Sequence, residues 1–314
     1  MPKRIHVFSK FNDRIEGPLQ PVFPEAELIL LNDAAQFAEA MPEIEYLMAL
    51  KPPQGHWDKA GSMKLVQSFG AGIDHLMPMD GLPAGVKVCN AAGLAAEPMG
   101  EYAVTMILMC LKRMCWAVTG HRAGQWRQYM PGSAQGATVC ILGMGRIGES
   151  TAAKCAALGM RVTGTQRRPR DVANVDRIWP AEQTKEAVAD ADVVVSILPL
   201  VPETENLIDE DLMRAMKPGS YVINLGRGGQ VDEAALIRLL EEGHLAGAAL
   251  DVFATEPLPE GDPLWQAPNL IITPHVAGGF PDYISGICEL FGENVRALEA
   301  GKPLKTEVDI ARGY

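Results

Sequence analysis

The sequence predicts an α/β protein with parallel β-sheets, because strand-like and helix-like stretches alternate from one end to the other. The chain has 314 residues, and at about 150 residues per domain this length favours two domains. Hydrophobic residues make up 47% and charged residues 21%, a composition that can fill a sizeable core. The two halves are alike in kind, since each is a run of β-α units.

The individual elements follow in order along the chain. In the first hundred residues, short apolar stretches between turn signals predict strands at 5–8, 28–31, 46–50, 65–68 and 86–89. A helical pattern occupies 33–40, and a long, apolar, helix-favouring stretch at 97–114 would link two lobes. A second series of strands is predicted at 138–142, 161–165, 192–197, 221–224, 246–252 and 269–272, with helices at 149–158 and 282–299.

Charge and composition exclude several classes of protein. The 28 basic and 39 acidic residues give a net charge of −11, so neither nucleic acid nor an anionic membrane is an expected partner. The longest nearly apolar run, 103–111, is shorter than the roughly 18 residues of a membrane span, and the N-terminus lacks an apolar signal region. A cytoplasmic protein is therefore expected. The six cysteines form no Cys-x-x-Cys pair, so we expect buried, reduced thiols and no metal site.

A glycine-rich turn at 143–148 (GMGRIG) lies between a predicted strand and a predicted helix, which is the context of a dinucleotide-binding fingerprint. Gly143 allows the tight turn, Gly145 lets the backbone approach a pyrophosphate, and Gly148 lets helix and strand pack closely. The helix N-terminus adds N–H groups and a positive dipole. The candidate phosphate-binding turn is completed by Met144, Arg146 and Ile147.

The residues after the next strand indicate which dinucleotide is bound. An NAD-binding unit places Asp or Glu there to accept hydrogen bonds from the ribose 2′-hydroxyl. This chain instead has Gln166, Arg167 and Arg168, with Arg170 close behind. A 2′-phosphate carries nearly two negative charges, which guanidinium groups suit. A solvated basic loop is the alternative, but at this offset from Gly143 the sequence predicts NADP(H), with NAD(H) as the second choice.

Three polar side chains, Arg227, Glu256 and His275, follow later strands, where ligands bind in open parallel sheets. Their types suit the reduction of a 2-oxo acid. Imidazolium is a natural proton donor near neutral pH, and a carboxylate behind it keeps it protonated and oriented. An arginine can hold the substrate carboxylate and polarise the carbonyl. Each residue alone has an ordinary structural explanation, but together, behind the glycine turn, they predict a catalytic set.

Six motifs in this order make the chain resemble the D-isomer-specific 2-hydroxyacid dehydrogenase family over almost its whole length. They are SFGAGIDH at 68–75, GMGRIG at 143–148, LPLVPET at 198–204, NLGRGG at 224–229, DVFATEP at 251–257 and TPH at 273–275. The resemblance implies two Rossmann-like doubly wound parallel-sheet domains with an interdomain active-site cleft. The substrate domain would be 1–98 with 283–314, and the dinucleotide-binding domain would be 99–282.

The resemblance also assigns binding residues. The backbone N–H groups of Gly70, Ala71 and Gly72 would meet the substrate carboxylate, and Asp251 would meet the nicotinamide carboxamide. The segment 123–131 looks like the family's dimer loop, which implies a homodimer in which Tyr129, or as a second choice Trp126, reaches the other subunit's active site. The remaining candidate cofactor-binding residues are Leu198, Pro199, Leu200, Asn224, Gly226, His275 and Gly278.

Within the family, the sequence favours the NADPH-using glyoxylate/hydroxypyruvate reductase branch. Formate dehydrogenases carry Gln at the position of Glu256, and long phosphoglycerate dehydrogenases add a regulatory domain where this chain ends at Tyr314. Two alternatives stay open. One is another D-2-hydroxyacid dehydrogenase, of the pyruvate or phenylpyruvate type, and the other is a nucleotide-sensing protein of the corepressor kind found in this fold.

Overall fold

A computed structural model describes residues 2–310, and the chain forms two compact units. Unit 1 is Met1–Ala95 with Phe280–Tyr314, and unit 2 is Ala96–Gly279. The strands are β1 Arg4–Phe8, β2 Glu27–Leu31, β3 Tyr46–Ala49, β4 Leu65–Ser68, β5 Lys87–Cys89, β6 Thr138–Leu142, β7 Arg161–Gln166, β8 Arg177–Pro180, β9 Val193–Ser196, β10 Ser220–Asn224, β11 Leu245–Leu250 and β12 Leu270–Ile272. The α-helices are α1 Asn12–Leu19, α2 Ala34–Ala40, α3 Ala96–Leu111, α4 Met114–Arg122, α5 Arg146–Ala157, α6 Thr184–Val188, α7 Glu210–Ala215, α8 Glu233–Glu241 and α9 Tyr283–Glu299.

Unit 1 contains a five-stranded parallel sheet in the order β2-β1-β3-β4-β5. Side chains of a strand alternate between the two faces, so β3 sends Met48 to one apolar core and Leu47 to the other. The first core includes residues of α1 and α9, and the second includes Phe37 of α2 together with Trp57. Both faces of the sheet are therefore covered, as parallel sheets require.

Unit 2 contains a seven-stranded parallel sheet in the order β12-β11-β10-β9-β6-β7-β8. Read from β6, this is the doubly wound order with one added strand, and its switch point lies between β6 and β9. Val193 and Val195 face one apolar core, whereas Val194 faces the other. The predicted fold class, two parallel-sheet α/β domains, is confirmed.

The predicted helix at 97–114 is wrong at its C-terminal end, because α3 ends at Leu111 and Met114 begins α4, whose axis is bent by 68° from that of α3. Arg113 between them adopts a left-handed conformation with φ 52°. The segment that follows α4 donates hydrogen bonds to the carbonyl groups at the end of α3. Gly132 N–H donates to Leu111 O at 2.9 Å, and the Tyr129 hydroxyl donates to Lys112 O at 3.0 Å. These tertiary contacts end a helix that local propensity would have continued.

Two further differences concern strands. Strand β8 is absent from the predicted strands, because its sequence (RIWP) is only four residues long and contains a Pro, which is tolerated here because β8 lies at the sheet edge. Strand β11 ends at Leu250 and not at 252, because the backbone of Asp251 turns to bond with the segment after β12: His275 N–H donates to Asp251 O at 2.8 Å.

The structure also bears on membranes and thiols. Within residues 2–310 no single helix has both the length and the apolar character to cross a membrane, although the bent pair α3 and α4 passes that test together. Burial raises the pKa of the thiols of Cys89, Cys110, Cys140, Cys155 and Cys288 to about 12, which leaves them unreactive near neutral pH.

Candidate active site

The carboxyl edge of the unit 2 sheet carries most of the predicted functional residues. Because its strands are parallel, the segments that follow them leave at the same edge, in the order of the strands. His275 follows β12, Glu256 follows β11, and Arg227 follows β10. The glycine turn follows β6, and Gln166 ends β7. Strands β12 and β7 are five spacings apart, which is about 24 Å at ~4.8 Å per strand. The proton-donor candidate and the ribose-binding candidates therefore lie toward opposite ends of one edge.

His275 and Glu256 form a direct pair, with His275 Nδ1 2.7 Å from Glu256 Oε2. The other carboxylate oxygen, Oε1, accepts a hydrogen bond from Phe253 N–H at 3.1 Å, which fixes the Glu256 side chain. The His275 side chain is half exposed, and within residues 2–310 its Nε2 makes no hydrogen bond. The pair can therefore present a proton on Nε2 while Nδ1 stays bonded to the carboxylate.

The backbone of His275 is held in an unusual conformation by Asp251. His275 has φ 53°, a left-handed conformation that is strained for a residue other than glycine. The Asp251 side chain is 2% exposed, and its carboxylate accepts hydrogen bonds from the Thr273 hydroxyl and from the N–H groups of Val276 and Ala277 at 2.7–3.0 Å. Asp251 thus fixes the turn that presents His275, and its predicted contact with a nicotinamide carboxamide stays a prediction.

The loop that carries Arg227 is fixed by two buried amides. Asn224 Nδ2 donates to Arg227 O at 2.9 Å, and its Oδ1 accepts from Gly226 N–H at 3.0 Å. Gln230 donates to Leu198 O at 2.8 Å and accepts from the Ser196 hydroxyl at 2.9 Å, so it joins this loop to the segment after β9. Sequence reasoning missed Gln230, since a polar residue after a glycine pair gives no sign of complete burial. Arg227 itself is partly buried, with Nη1 donating to Gly226 O at 2.8 Å.

The glycine turn has the packing that its sequence predicts. Gly143 has φ 99°, and a Cβ atom there would lie 2.9 Å from Ile197 O. A Cβ on Gly148 would lie 2.5 Å from Gly143 O, so α5 approaches the turn more closely than any other residue type permits. A Cβ on Gly145, in contrast, would meet no atom within 4 Å. Gly145 precedes the exposed Arg146 and the partly buried Ile147 at the start of α5, whereas the Met144 side chain lies in the core.

The end of β7 fits a ribose and its substituents. Gln166 Nε2 donates to Met144 O at 2.9 Å, whereas its buried Oε1 has no hydrogen-bond partner within residues 2–310. Such an unpaired acceptor is unfavourable unless a ligand donor meets it. Arg167 and Arg168 are exposed beside it, and Arg170 forms an ion pair with Glu149 of α5. A bound dinucleotide would use the open space beside Gly145 and the unpaired Gln166 Oε1. The residues present therefore fit the cofactor.

The predicted substrate loop lies in unit 1, at the carboxyl end of β4. The N–H group of Gly70 is not available to a ligand, because it donates to Ser68 Oγ at 3.0 Å. The N–H groups of Ala71 and Gly72 have no acceptor among the residues that the structure describes. Asn90 Nδ2 donates to Ala71 O at 2.7 Å, and the Tyr283 hydroxyl of α9 donates to Phe69 O. The loop is thus held by hydrogen bonds from two sides. Of the three N–H groups predicted to bind the substrate carboxylate, those of Ala71 and Gly72 remain as candidates.

Tyr129 is engaged within its own unit. Besides the bond from its hydroxyl to Lys112 O, its ring packs edge-on against Trp116, with 5.0 Å between the ring centroids. Trp126 of the same segment is 92% exposed. Of the two aromatic residues predicted to reach a second subunit, Trp126 is therefore the more exposed, since Tyr129 is partly buried.

The sheet of unit 2 and the residues along its carboxyl edge are typical of one group of enzymes. A doubly wound sheet with a glycine turn at its switch point, and an imidazole–carboxylate pair on the same edge, is the arrangement of an oxidoreductase that uses a nicotinamide dinucleotide. Within residues 2–310 no group of three or more His, Cys, Asp or Glu side chains is placed to hold a metal ion.

Comparison with known proteins identifies the family. The model of the D-isomer specific 2-hydroxyacid dehydrogenase NAD binding domain matches residues 104–277. The chain is similar to glyoxylate/hydroxypyruvate reductase A from Serratia proteamaculans (strain 568), with 34% identity over 277 residues that cover 86% of this chain and 88% of the relative. The chain belongs to the D-isomer specific 2-hydroxyacid dehydrogenase family, which confirms the predicted resemblance, and it is an NAD(P)-dependent oxidoreductase.

Two solved structures are similar over nearly the whole chain. One is a D-isomer specific 2-hydroxyacid dehydrogenase from Xanthobacter autotrophicus Py2 in complex with NADPH and MES, with TM-score 0.90, 33% identity and 99% coverage of each chain. The other is an NADPH-dependent glyoxylate/hydroxypyruvate reductase from Sinorhizobium meliloti in complex with NADP and sulfate. Its TM-score is 0.90 at 30% identity, with coverage of 99% of this chain and 100% of that one.

Proposed function

We propose that this protein reduces small 2-oxo acids, glyoxylate and hydroxypyruvate first among them, to 2-hydroxy acids with NADPH. The observation that carries the proposal is the 2.7 Å contact between His275 Nδ1 and Glu256 Oε2, which leaves Nε2 as the proton donor. This pair lies on the same sheet edge as the glycine turn. Relatives named glyoxylate/hydroxypyruvate reductase and a similar structure in complex with NADP support the choice of substrate and cofactor.

The cofactor would be held along the carboxyl edge of unit 2. The N–H groups at the start of α5 would receive the pyrophosphate in the space before Gly145. Gln166 Oε1 would accept from the ribose, and Arg167 and Arg168 would bind the 2′-phosphate. When bound, NADPH supplies a hydride for the carbonyl carbon of the substrate. The contacts predicted for Leu198, Pro199, Leu200, Asn224, Gly226, Asp251 and Gly278 belong to this proposal.

The residues of the chain supply the proton and the substrate contacts. As the carbonyl carbon gains the hydride, negative charge develops on its oxygen, and His275 Nε2 donates a proton to that oxygen. The neutral imidazole that results still donates its Nδ1 proton in a hydrogen bond to Glu256, so the ring keeps its orientation. Arg227 binds the substrate carboxylate and polarises the carbonyl. We assign unit 1 to substrate binding through the N–H groups of Ala71 and Gly72.

A homodimer is part of the proposal. The segment 123–131 resembles the dimer loop of related reductases, and Trp126 offers an exposed aromatic ring there. Trp126 therefore replaces Tyr129 as the residue proposed to reach a second copy of the chain.

A panel of four substrates tests the proposal. The loss of NADPH absorbance is followed with glyoxylate, hydroxypyruvate, pyruvate and phenylpyruvate. We expect the highest kcat/KM with glyoxylate or hydroxypyruvate. Faster reduction of pyruvate or phenylpyruvate would assign the chain to another type of D-2-hydroxyacid dehydrogenase. NADPH binding without turnover of any of the four would favour a nucleotide-sensing protein.

A further inference from the structure

Glu233, which no step of the proposed reaction uses, contacts the loop that carries Glu256. Glu233 is the first residue of α8, and its backbone is fixed there because the preceding residue, Asp232, caps the helix by accepting from Ala235 N–H at 2.9 Å. Its side chain is partly buried, and Oε1 accepts a hydrogen bond from Ala254 N–H at 2.8 Å. An acidic residue in the first turn of a helix is common, because it interacts with the helix dipole. Here, however, the carboxylate also bonds to a separate loop.

The same loop is contacted from a second direction by the glycine after Arg227. A Cβ atom on Gly228 would lie 1.8 Å from Phe253 C and 2.3 Å from Ala254 N. The backbone around Gly228 therefore lies directly against the peptide that joins Phe253 and Ala254. Because Glu233 holds the N–H of that same peptide, its position and its orientation are both fixed.

This peptide is one step from the catalytic pair. The adjoining N–H, that of Phe253, donates to Glu256 Oε1, and Glu256 Oε2 contacts His275 Nδ1. A continuous series of contacts thus runs from Glu233 through the backbone of 253–254 to Glu256 and His275. A shift of this peptide would move the Glu256 carboxylate away from the imidazole.

The electrostatic surroundings of the Glu233 carboxylate are consistent with a specific hydrogen bond from Ala254 N–H. Burial raises the pKa of the Glu233 carboxyl, the hydrogen bond from Ala254 N–H lowers it, and the charge of Asp262 raises it. The carboxylate thus occupies a position where ionisation is disfavoured by its surroundings, and the Ala254 N–H is the group that offsets this.

We propose that Glu233 is a positioning residue for the His275–Glu256 pair, acting through its hydrogen bond to Ala254 N–H. The inference rests on the proposed function, because it assigns Glu233 to the proton donor named there. Glu233→Ala removes the acceptor, whereas Glu233→Gln keeps an oxygen that can accept from the same N–H. Glu241→Ala, at the exposed C-terminal end of the same helix, is the matched control.

The test measures kcat, KM for glyoxylate and the pH dependence of kcat in the intact enzyme with NADPH. We expect kcat to fall about tenfold in Glu233→Ala, since small displacements of catalytic groups are costly. The alkaline fall of its activity should also move to lower pH, because a displaced Glu256 favours the imidazolium less. Glu233→Gln should retain most of kcat with an unchanged pH profile, and Glu241→Ala should match the unaltered enzyme.

Three results would overturn the inference. They are an unchanged kcat and pH profile in Glu233→Ala, equal losses in the Ala and Gln variants, and a lower melting temperature with normal turnover. Failure of the proposed function is recognised separately with His275→Ala. If that variant reduces glyoxylate as fast as the unaltered enzyme, the proton donor itself is wrongly assigned, whatever Glu233 does.

Discussion

At the scale of single residues, the two ring nitrogens of His275 have different surroundings. Nδ1 is bonded to Glu256, and Nε2 makes no bond within residues 2–310. A ring fixed in this way donates its proton in one direction only. The strained φ of 53° is maintained by the bonds between Asp251 and the 273–277 segment, so the backbone, as well as the side chain, positions the donor.

His275→Ala tests the donor. Removal of a general acid should lower kcat by roughly 10²-fold or more, because the proton is transferred in the chemical step. The Kd for NADPH, measured by fluorescence titration, should change little. A fall in kcat of less than about tenfold would mean that His275 is not the acid.

Glu256→Gln tests the carboxylate behind the ring. The amide keeps the size and one acceptor oxygen, but without the negative charge it no longer favours the imidazolium. Because the reaction needs the imidazolium, activity should be lost at lower pH on the alkaline side, while the acidic side is unchanged. Glu260→Gln, on the same exposed segment, serves as the control, and the profile of kcat against pH is the measurement. Superimposable profiles for all three proteins would exclude this role for Glu256.

At the scale of elements, two glycines of the turn at 143–148 have different roles: Gly148 is needed for packing, and Gly145 is proposed to leave room for the cofactor. Gly148→Ala should destabilise the fold by about 1–3 kcal/mol, because its methyl group would collide with Gly143 O. Gly145→Ala should leave the melting temperature unchanged, since no atom lies near the new methyl group. It should nevertheless raise KM for NADPH roughly tenfold or more by weakening charged hydrogen bonds to the pyrophosphate. If Gly145→Ala binds NADPH normally, the pyrophosphate lies elsewhere.

The elements also indicate what the sequence can and cannot predict. Buried parallel strands are short apolar runs, so β6 and β9 are recognisable from their own residues. The end of α3 is not, because Lys112 and Arg113 favour helix and the break depends on Tyr129 and Gly132 from a later segment. Residue types and motif order predicted Arg227, Glu256 and His275, whereas Gln230, Glu233 and Tyr283 act through contacts that form only after folding.

At the scale of the whole molecule, the proposed homodimer would use the segment 123–131. Sedimentation should give twice the mass of one chain, and Trp126→Ala should raise KM for the 2-oxo acid while KM for NADPH changes little. Tyr129→Phe is the matched control, since it removes only the bond to Lys112 O and should cost about 1 kcal/mol of stability without changing KM. A monomer with full activity, or an effect of Tyr129→Phe on KM and none of Trp126→Ala, would refute this assignment.

The proposed NADPH-dependent reduction of 2-oxo acids is tested by the ratio of kcat/KM for NADPH to kcat/KM for NADH, with glyoxylate as substrate. A charge-assisted hydrogen bond contributes roughly 1.5–3 kcal/mol, which exposure of Arg167 and Arg168 reduces, so we expect a ratio of about ten or more. Replacing both arginines by Ala should abolish the preference, chiefly through weaker NADPH binding, and Gln166→Asp should reverse it by repelling the 2′-phosphate. Reduction of glyoxylate with equal efficiency for both cofactors, or better with NADH, would contradict the account.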